Sequence, residues 1–320
     1  MSKIAKNNNP NNKLISIVSP CFNEEHNIIG IYNGVSKIMK KQPYKYEHIF
    51  IDNCSTDSTV EKLKKLAEKD KNLKLIVNTR NFGAIRSPFY GITQSSGDAC
   101  ILIPCDFQVP LELINDFVAN WEKGFKVVLA QKKTSDEYFF MFYFRKLYYR
   151  FMNKISDVEI LENCTGFGLY DKIVVSILTD LDDPYPYLRG LLMEIGYPVS
   201  LVSFHQPNRR HGVSSYTLYH LYDYFMLGIT QHSKLPLTLI TMFGFFILIL
   251  SLLVACYFLI VKILYWDTFS IGIAPILIAI FFFGSIQVFF LGILGEYIGS
   301  ISTKIRKLPL VVESERINFK

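Results

Sequence analysis

The chain has 320 residues, of which 50% are hydrophobic and only 19% charged, and it carries a net charge of +6. That apolar balance excludes an ordinary, wholly soluble protein. So mild a positive charge, with no basic stripe, excludes a nucleic-acid binder and suits acidic substrates and anionic lipid. The six scattered cysteines, with no C-x-x-C pair, exclude a disulfide framework and a structural zinc site and fit a reducing cytoplasm.

Residues 1–13 are rich in Asn and Lys without an apolar core and read as a disordered tail, with no secretory signal. From Leu14 onward, short β-rich runs alternate with helical stretches, the pattern of a mostly parallel α/β sheet. Leu14–Ser19 is an expected strand and Glu25–Lys40 a helix; His48–Ile51 a strand and Ser58–Lys69 a helix. Leu73–Val77, Ala99–Pro104 and Lys126–Ala130 are further expected strands, with helices at Gly83–Ser95 and Leu111–Trp121 between them. Ligands of such sheets gather beyond the carboxyl ends of the strands, so candidates are sought after Ser19, Ile51, Ile103 and Ala130.

Segments 138–155 and 216–232 then crowd aromatic side chains among basic ones, including Arg145, Lys146, Arg150 and Lys154. Either segment fits a core helix, but this mixture better fits interfacial helices at headgroup level. The apolar runs 237–265 and 271–298 each exceed the roughly 20 residues that cross a bilayer. The expected organisation is an α/β domain over 14–235, a transmembrane hairpin over 236–300 and a tail over 301–320. Lys234 precedes the first run and Lys304, Arg306 and Lys307 follow the second, whereas the turn holds only Asp267. That asymmetry puts the large domain and both termini on the cytoplasmic side of the inner membrane, in a multi-pass protein. Gly292, Gly295 and Gly299 line one side of the second run, a pattern for close helix contact within the hairpin or between subunits of a homo-oligomer.

The familiar phosphate-loop, zinc-protease and serine-hydrolase motifs are absent, and Gly166-Phe-Gly168 lacks the third glycine of a dinucleotide fingerprint. The strand ends instead carry Pro20-Cys-Phe-Asn-Glu-Glu25, Asp52-Asn-Cys-Ser-Thr-Asp57, Asn81-Phe-Gly83, Gly97-Asp98 and Pro104-Cys-Asp-Phe-Gln-Val-Pro110. In this order, and followed by Leu291-Gly-Ile-Leu-Gly-Glu-Tyr-Ile-Gly299, they resemble glycosyltransferase family 2. The likeness is to its dolichol-phosphate-mannose-synthase-like branch, in the bacterial polyprenyl-phosphate form with two C-terminal spans. The resemblance implies a nucleotide-diphosphate-sugar-binding, GT-A type, Rossmann-like fold. It also implies transfer of a monosaccharide from a UDP- or GDP-linked donor to a polyprenyl phosphate such as undecaprenyl phosphate, with inversion, at a membrane lipid surface.

The chemistry agrees. A nucleotide-sugar has a diphosphate leaving group, so its transfer calls for a divalent cation or fixed positive charge. Asp106 ends a strand, and Gln108 faces the same way two residues on. Pro104, Asp106 and Gln108 map onto the family's D-x-D-x-Q, so Asp106 and Gln108 are the expected ligands of Mg2+ or Mn2+, with Pro104 in place of the first carboxylate. Pro20, Phe22, Glu24, Asp52, Asn53 and Asp106 are the expected nucleotide contacts. A lipid phosphate is ionised near neutral pH and needs cations to position it, not a base. Lys132, Arg145 and Arg209 match the positions that the family uses for this. A processive polysaccharide synthase would add a Q-x-x-R-W motif and further spans; a membrane scaffold that keeps the fold is the non-enzymatic alternative.

Overall fold

The computed structural model describes residues 13–135, 161–207, 226–230, 233, 235–264, 273–306 and 308–319. Four apolar runs make the centre of the sheet: β1 (Leu14–Cys21), β2 (Lys45–Asp52), β3 (Leu73–Asn78) and β4 (Ala99–Leu102). All four are parallel, in the spatial order β3-β2-β1-β4. They are covered on both faces, which is why they read as continuous apolar runs and not as alternating ones. One face packs Ile15, Ile17, Phe50, Leu75 and Phe117 with α1 (Ile28–Met39), α2 (Thr59–Lys69) and α4 (Leu113–Glu122). The other packs Val18, Ile49, Ile51 and Ile76 with α3 (Gly83–Thr93), α5 (Lys172–Asp180) and α6 (Leu188–Ile195).

Among the described residues the sheet has eight strands in the order β7-β5-β6-β4-β1-β2-β3-β8. The expected fifth strand is β5 (Val127–Ser135), which runs longer than its apolar core suggested. It does not join β4. Instead β6 (Cys164–Asp171) inserts between them, antiparallel to both, and β7 (Val199–Gln206) continues parallel to β5. Gly168 fits this seam because a Cβ there would collide with the Val128 carbonyl across the ladder. The loop at Gly97 is equally tight: a Cβ would lie 2.7 Å from the Leu14 carbonyl. Asp98 then caps the start of β1, accepting from the Leu14 N–H at 3.0 Å. Gly97-Asp98 is therefore a joint in the sheet.

Two long helices follow, α7 (Leu235–Leu264, 30 residues) and α8 (Ile273–Ile305, 33 residues). At 1.5 Å per residue each is about 45–50 Å long, more than the roughly 30 Å of a hydrocarbon core. Their surfaces are apolar and uncovered: Phe246 is 62% exposed and Val288 69%. Among the described residues one stretch, Phe282–Ile305, passes as a span by length and composition. The two helices meet at Phe243 and Phe290, ring centroids 5.7 Å apart. The Tyr297 hydroxyl donates to the Ser233 carbonyl at 2.7 Å, tying the end of α8 to the start of α7. Among the described residues, a Cβ on Gly292, Gly295 or Gly299 would meet nothing within 4 Å.

The segment expected to be a tail is structural. β8 (Glu313–Ile317) pairs antiparallel with β3 and closes that edge of the sheet. The segments 138–155 and nearly all of 216–232, expected to be interfacial helices, lie outside the described residues.

Candidate functional site

Strand register brings the first two motifs together. Cys21 pairs with Asp52 at the carboxyl ends of β1 and β2, and Ile103 donates to the Val18 carbonyl at 2.9 Å, so the loop after β4 leaves beside them. The Cys21 thiol lies 3.8 Å from Asp52 Oδ1. Its hydrogen bond with Cys105, together with burial, pushes that thiol well above its ordinary range. Cys21 is thus an inert packing group between the β1 and β4 ends.

Much of the polar content of these motifs is spent on loop architecture. Asn23 donates its N–H to the Ser55 hydroxyl at 2.8 Å, and its side-chain oxygen accepts from Thr56 N–H at 2.8 Å. Glu24 N–H reaches the Thr59 hydroxyl at 2.9 Å, and Glu25 N–H reaches Asp57 at 3.2 Å. The Glu24 carboxylate accepts from Asn27 at 2.6 Å. The loops after β1 and β2 are stitched into one wall, on which half-buried Pro20 and Phe22 sit.

Asp52 is fully buried, accepting from Ser55 N–H at 2.9 Å and from the Ser55 hydroxyl at 2.5 Å. Burial pushes its carboxyl above the ordinary range despite those bonds. Asn53 is also committed. Its amide donates to Asn81 at 2.8 Å and to the Gly83 carbonyl at 3.3 Å, while its oxygen accepts from Phe82 N–H at 2.9 Å and Asn78 at 3.2 Å. An Asn side chain has two donors and about two acceptor sites, so these four bonds engage all of them. The side chain of Asn53, an expected donor contact, rivets β2 to the Asn81-Phe-Gly83 loop. That use of Asn78 and Asn81 escaped sequence reading, although Asn81-Phe-Gly83 itself was the signal.

Asp106 is 8% exposed in the loop after β4, and its Oδ1 accepts from the Gln108 N–H at 3.1 Å. The loop is seated by two aromatic and aliphatic plugs. Phe107 comes within 2.9 Å of where a Gly30 Cβ would stand, and Leu111 fills the space over Gly34. These α1 glycines, four apart on one helix face, let the Asp106 loop approach. Phe107 has φ 57°, a left-handed conformation costly for a bulky residue. Asn23 (φ 55°) and Cys54 (φ 67°) share that conformation at the ends of β1 and β2. Three of the six non-glycine residues with positive φ among the described residues thus lie at three neighbouring strand ends.

Lys132 is 5% exposed on β5, paired with Phe204 of β7, and its N–H bonds the Asn163 carbonyl at 3.1 Å. β6 separates its strand from β4, which is about 10 Å at the usual strand spacing. Arg145 and Arg209 lie outside the described residues. Asp171, at the end of β6, accepts from Trp121 Nε1 at 2.7 Å and from Lys126 Nζ at 2.8 Å and caps α5. Burial opposes its charge, but Lys126 and Trp121 hold its carboxyl below the usual range. Its role is to join α4, β5 and α5. Among the described residues no group of three or more His, Cys, Asp or Glu forms a ready metal cage.

Residues 16–177 match the family described as glycosyl transferase family 2. The chain is 33% identical over 298 residues to the putative glycosyltransferase CsbB of Bacillus subtilis, covering 92% of this chain and 90% of that one. It is also 33% identical over 316 residues to the bactoprenol glucosyl transferase of Shigella phage SfII, covering 95% of this chain and 99% of that one. Among solved structures, S. aureus TarS 1-349 in complex with UDP-GlcNAc aligns with 68% of this chain and 67% of that one, at 20% identity and a TM-score of 0.44. The β3-β2-β1-β4 core, its occupied strand ends and these near full-length relatives lead to one assignment: the chain belongs to glycosyltransferase family 2.

Proposed function

We propose that this glycosyltransferase moves one monosaccharide from a UDP- or GDP-linked sugar to the phosphate of a polyprenyl phosphate at the cytoplasmic face of the inner membrane. One observation carries the reading. The chain leaves the strand-end domain into two apolar helices and returns as β8 to the same sheet. A donor site is thereby held beside a lipid surface, where a lipid-linked phosphate is presented. The bactoprenol glucosyl transferase relatives support that class of acceptor.

The acceptor phosphate, already ionised, attacks the anomeric carbon in one in-line step as the nucleoside diphosphate departs, giving inversion and a polyprenyl-phosphate-linked sugar. Pro20, Phe22 and Glu24 wall the nucleotide pocket. Asp52 sets the shape of the loop beneath it and reaches a ligand only where Ser55 gives way. Lys132, Arg145 and Arg209 are the cations proposed for the acceptor side. A divalent cation fits the donor set: Mg2+ is commonly held by one or two carboxylates, with phosphate oxygens and waters completing the shell. Asp106 and Gln108 would hold Mg2+ or Mn2+, which when bound neutralises charge on the leaving diphosphate.

The purified full chain in detergent, given undecaprenyl phosphate and a panel of radiolabelled nucleotide-sugars, should put label from one donor into an organic-soluble, lipid-linked monosaccharide. Label in a polymer would replace this reading with a processive synthase. No transfer from any donor would leave a scaffold.

A further inference from the structure

The end of α8 and the end of β3 form one surface on which cationic and apolar side chains are both left uncovered. β8 is antiparallel to β3, so the chain coming off α8 joins the sheet at the carboxyl end of β3. There the Thr79 N–H donates to the Val312 carbonyl at 2.9 Å, and Arg80 follows directly. Arg86, in α3, donates to the Pro309 carbonyl at 2.5 Å. Both guanidiniums lie over the ring of buried Phe82, 4.0 and 5.2 Å from its centroid. They make one cationic group beside the 306–312 connector.

The charge of this group is not cancelled from within. Among the described residues Arg80 and Arg86 reach neutral acceptors, the Asn81 and Pro309 carbonyls, and exposed Arg306 pairs with no carboxylate. Lys304, by contrast, is paired with Asp183 at 3.5 Å. Burial, and then the neighbouring Arg80, holds the Arg86 guanidinium below its ordinary range, a repulsion that the face of Phe82 offsets in part. Beside these cations, apolar side chains face outward: Ile305 is 72% exposed, Leu308 53% and Val312 48%. Cations set among uncovered apolar groups make a surface suited to the boundary between lipid headgroups and acyl chains.

Position narrows the ligand. The stretch long and apolar enough to span a membrane ends at Ile305. Pro309 is four residues further on, at most about 14 Å of extended chain. The arginines are therefore held near the headgroup layer. The Asp106 loop follows β4, three strands across the sheet from β3, which is about 14 Å at the usual strand spacing. The reacting phosphates thus lie elsewhere. The anion that a membrane itself presents at this depth is the singly charged phosphodiester of an acidic phospholipid, and a guanidinium fork pairs with its two free oxygens.

We propose that Arg80, Arg86 and Arg306 hold the headgroup of an anionic phospholipid, so that the β3–β8 edge of the domain rests on the membrane surface; the inference rests on the membrane placement proposed above. Calorimetry on the full chain in a neutral detergent would titrate dioctanoyl phosphatidylglycerol, dioctanoyl phosphatidylcholine and UDP. The unaltered chain should bind the anionic lipid at least about fivefold more tightly than the zwitterionic one, the scale for a single cation at an anionic surface. Arg80 is exposed, so Arg80→Ala keeps the fold. It should weaken phosphatidylglycerol binding about fivefold on the same scale, and Arg80→Lys should retain most of it. UDP affinity should not change in either variant. Lys41 is exposed just before β2, at the amino ends of the strands, so Lys41→Ala should leave lipid binding as it was. Equal affinity for the two lipids overturns the proposal, as does unchanged phosphatidylglycerol affinity in Arg80→Ala. An equal loss in Lys41→Ala reduces the effect to diffuse charge and overturns it too. So does a parallel loss of UDP affinity in Arg80→Ala, which would assign the arginine to the donor. An Arg80-dependent lipid preference in a chain that transfers no sugar would sink the proposed function and leave this surface standing; transfer without that preference would do the reverse.

Discussion

At the scale of single residues, Asp106 is where charge and architecture can be separated. Its Oδ1 holds the Gln108 N–H, a bond that an asparagine oxygen reproduces. Asp106→Asn should therefore keep the loop and the melting temperature while turnover falls at least about 100-fold, the loss expected for a preorganised charge-stabilising group. Near-normal turnover would make Asp106 a loop residue. His48 offers a second test, of the fold alone. It is 1% exposed, its Nε2 lies 3.0 Å from the Ser19 hydroxyl, and its Nδ1 has no partner. Burial drives its pKa down from 6.5 to about 3. The unfolded chain thus takes up a proton below pH 6.5 that the folded chain refuses, so stability is complete above that pH and falls as the pH drops toward 3. The slope is at most about 1.4 kcal/mol per pH unit. Between pH 6.5 and 5 most carboxylates do not yet titrate, so His48→Gln should flatten the melting temperature across that window. An unchanged slope would place the proton elsewhere.

At the scale of elements, β8 shows both what the fold needs and why sequence reading missed it. Glu313–Ile317 has the burial of an edge strand, exposed at its centre, with no apolar alternation for a pattern to find. Its partner strand β3 is distant in sequence, and polar bonds flank the ladder. Thr79 N–H bonds the Val312 carbonyl at 2.9 Å, and the Ser314 hydroxyl bonds the Val77 carbonyl at 3.0 Å. Asn318 closes the Ala67 and Leu73 carbonyls at 2.7 and 2.8 Å. A chain stopped after Leu308 should leave the β3 edge unpaired, melt at a lower temperature and aggregate on size exclusion. A monodisperse truncate with the parent melting temperature would show the strand to be dispensable. β1 to β4 and their helices were legible because they are buried on both faces. β6 was not, because its two glycines dilute the apolar signal that the close β5 contact requires. The site was legible as an ordered set of strand-end motifs, but not in its division of labour. Asn53, Glu24 and Asp57 are residue types that suit a ligand and a loop equally, and here they bond neighbouring loop residues: Asn81, Asn27 and Thr59.

For the whole molecule, the sheet itself constrains how the chain meets a membrane. The C-terminal strand pairs with β3, so whatever follows α8 lies on the same side as the catalytic domain. The Tyr297–Ser233 bond and the Lys304–Asp183 pair hold the same end of the helices to that side. A chain that leaves a domain and returns to it crosses a bilayer an even number of times. If Phe282–Ile305, the one stretch among the described residues that passes as a span on composition, crosses as proposed, it needs a partner crossing, and α7, 30 residues long and apolar, is the segment between it and the domain. Basic residues at the domain end, Lys304 and Arg306, fit the proposed cytoplasmic side for that end. A cysteine at Thr268, between the helices, should be labelled in intact cells by a membrane-impermeant maleimide. A cysteine appended after Lys320 should be labelled only once the membrane is opened. Labelling of both from outside, or of the C-terminal cysteine alone, would break the pairing of β8 with β3 and with it the argument that the donor site is held at the lipid surface. Protection of both would instead make α7 and α8 a hairpin that lies on the membrane without crossing it.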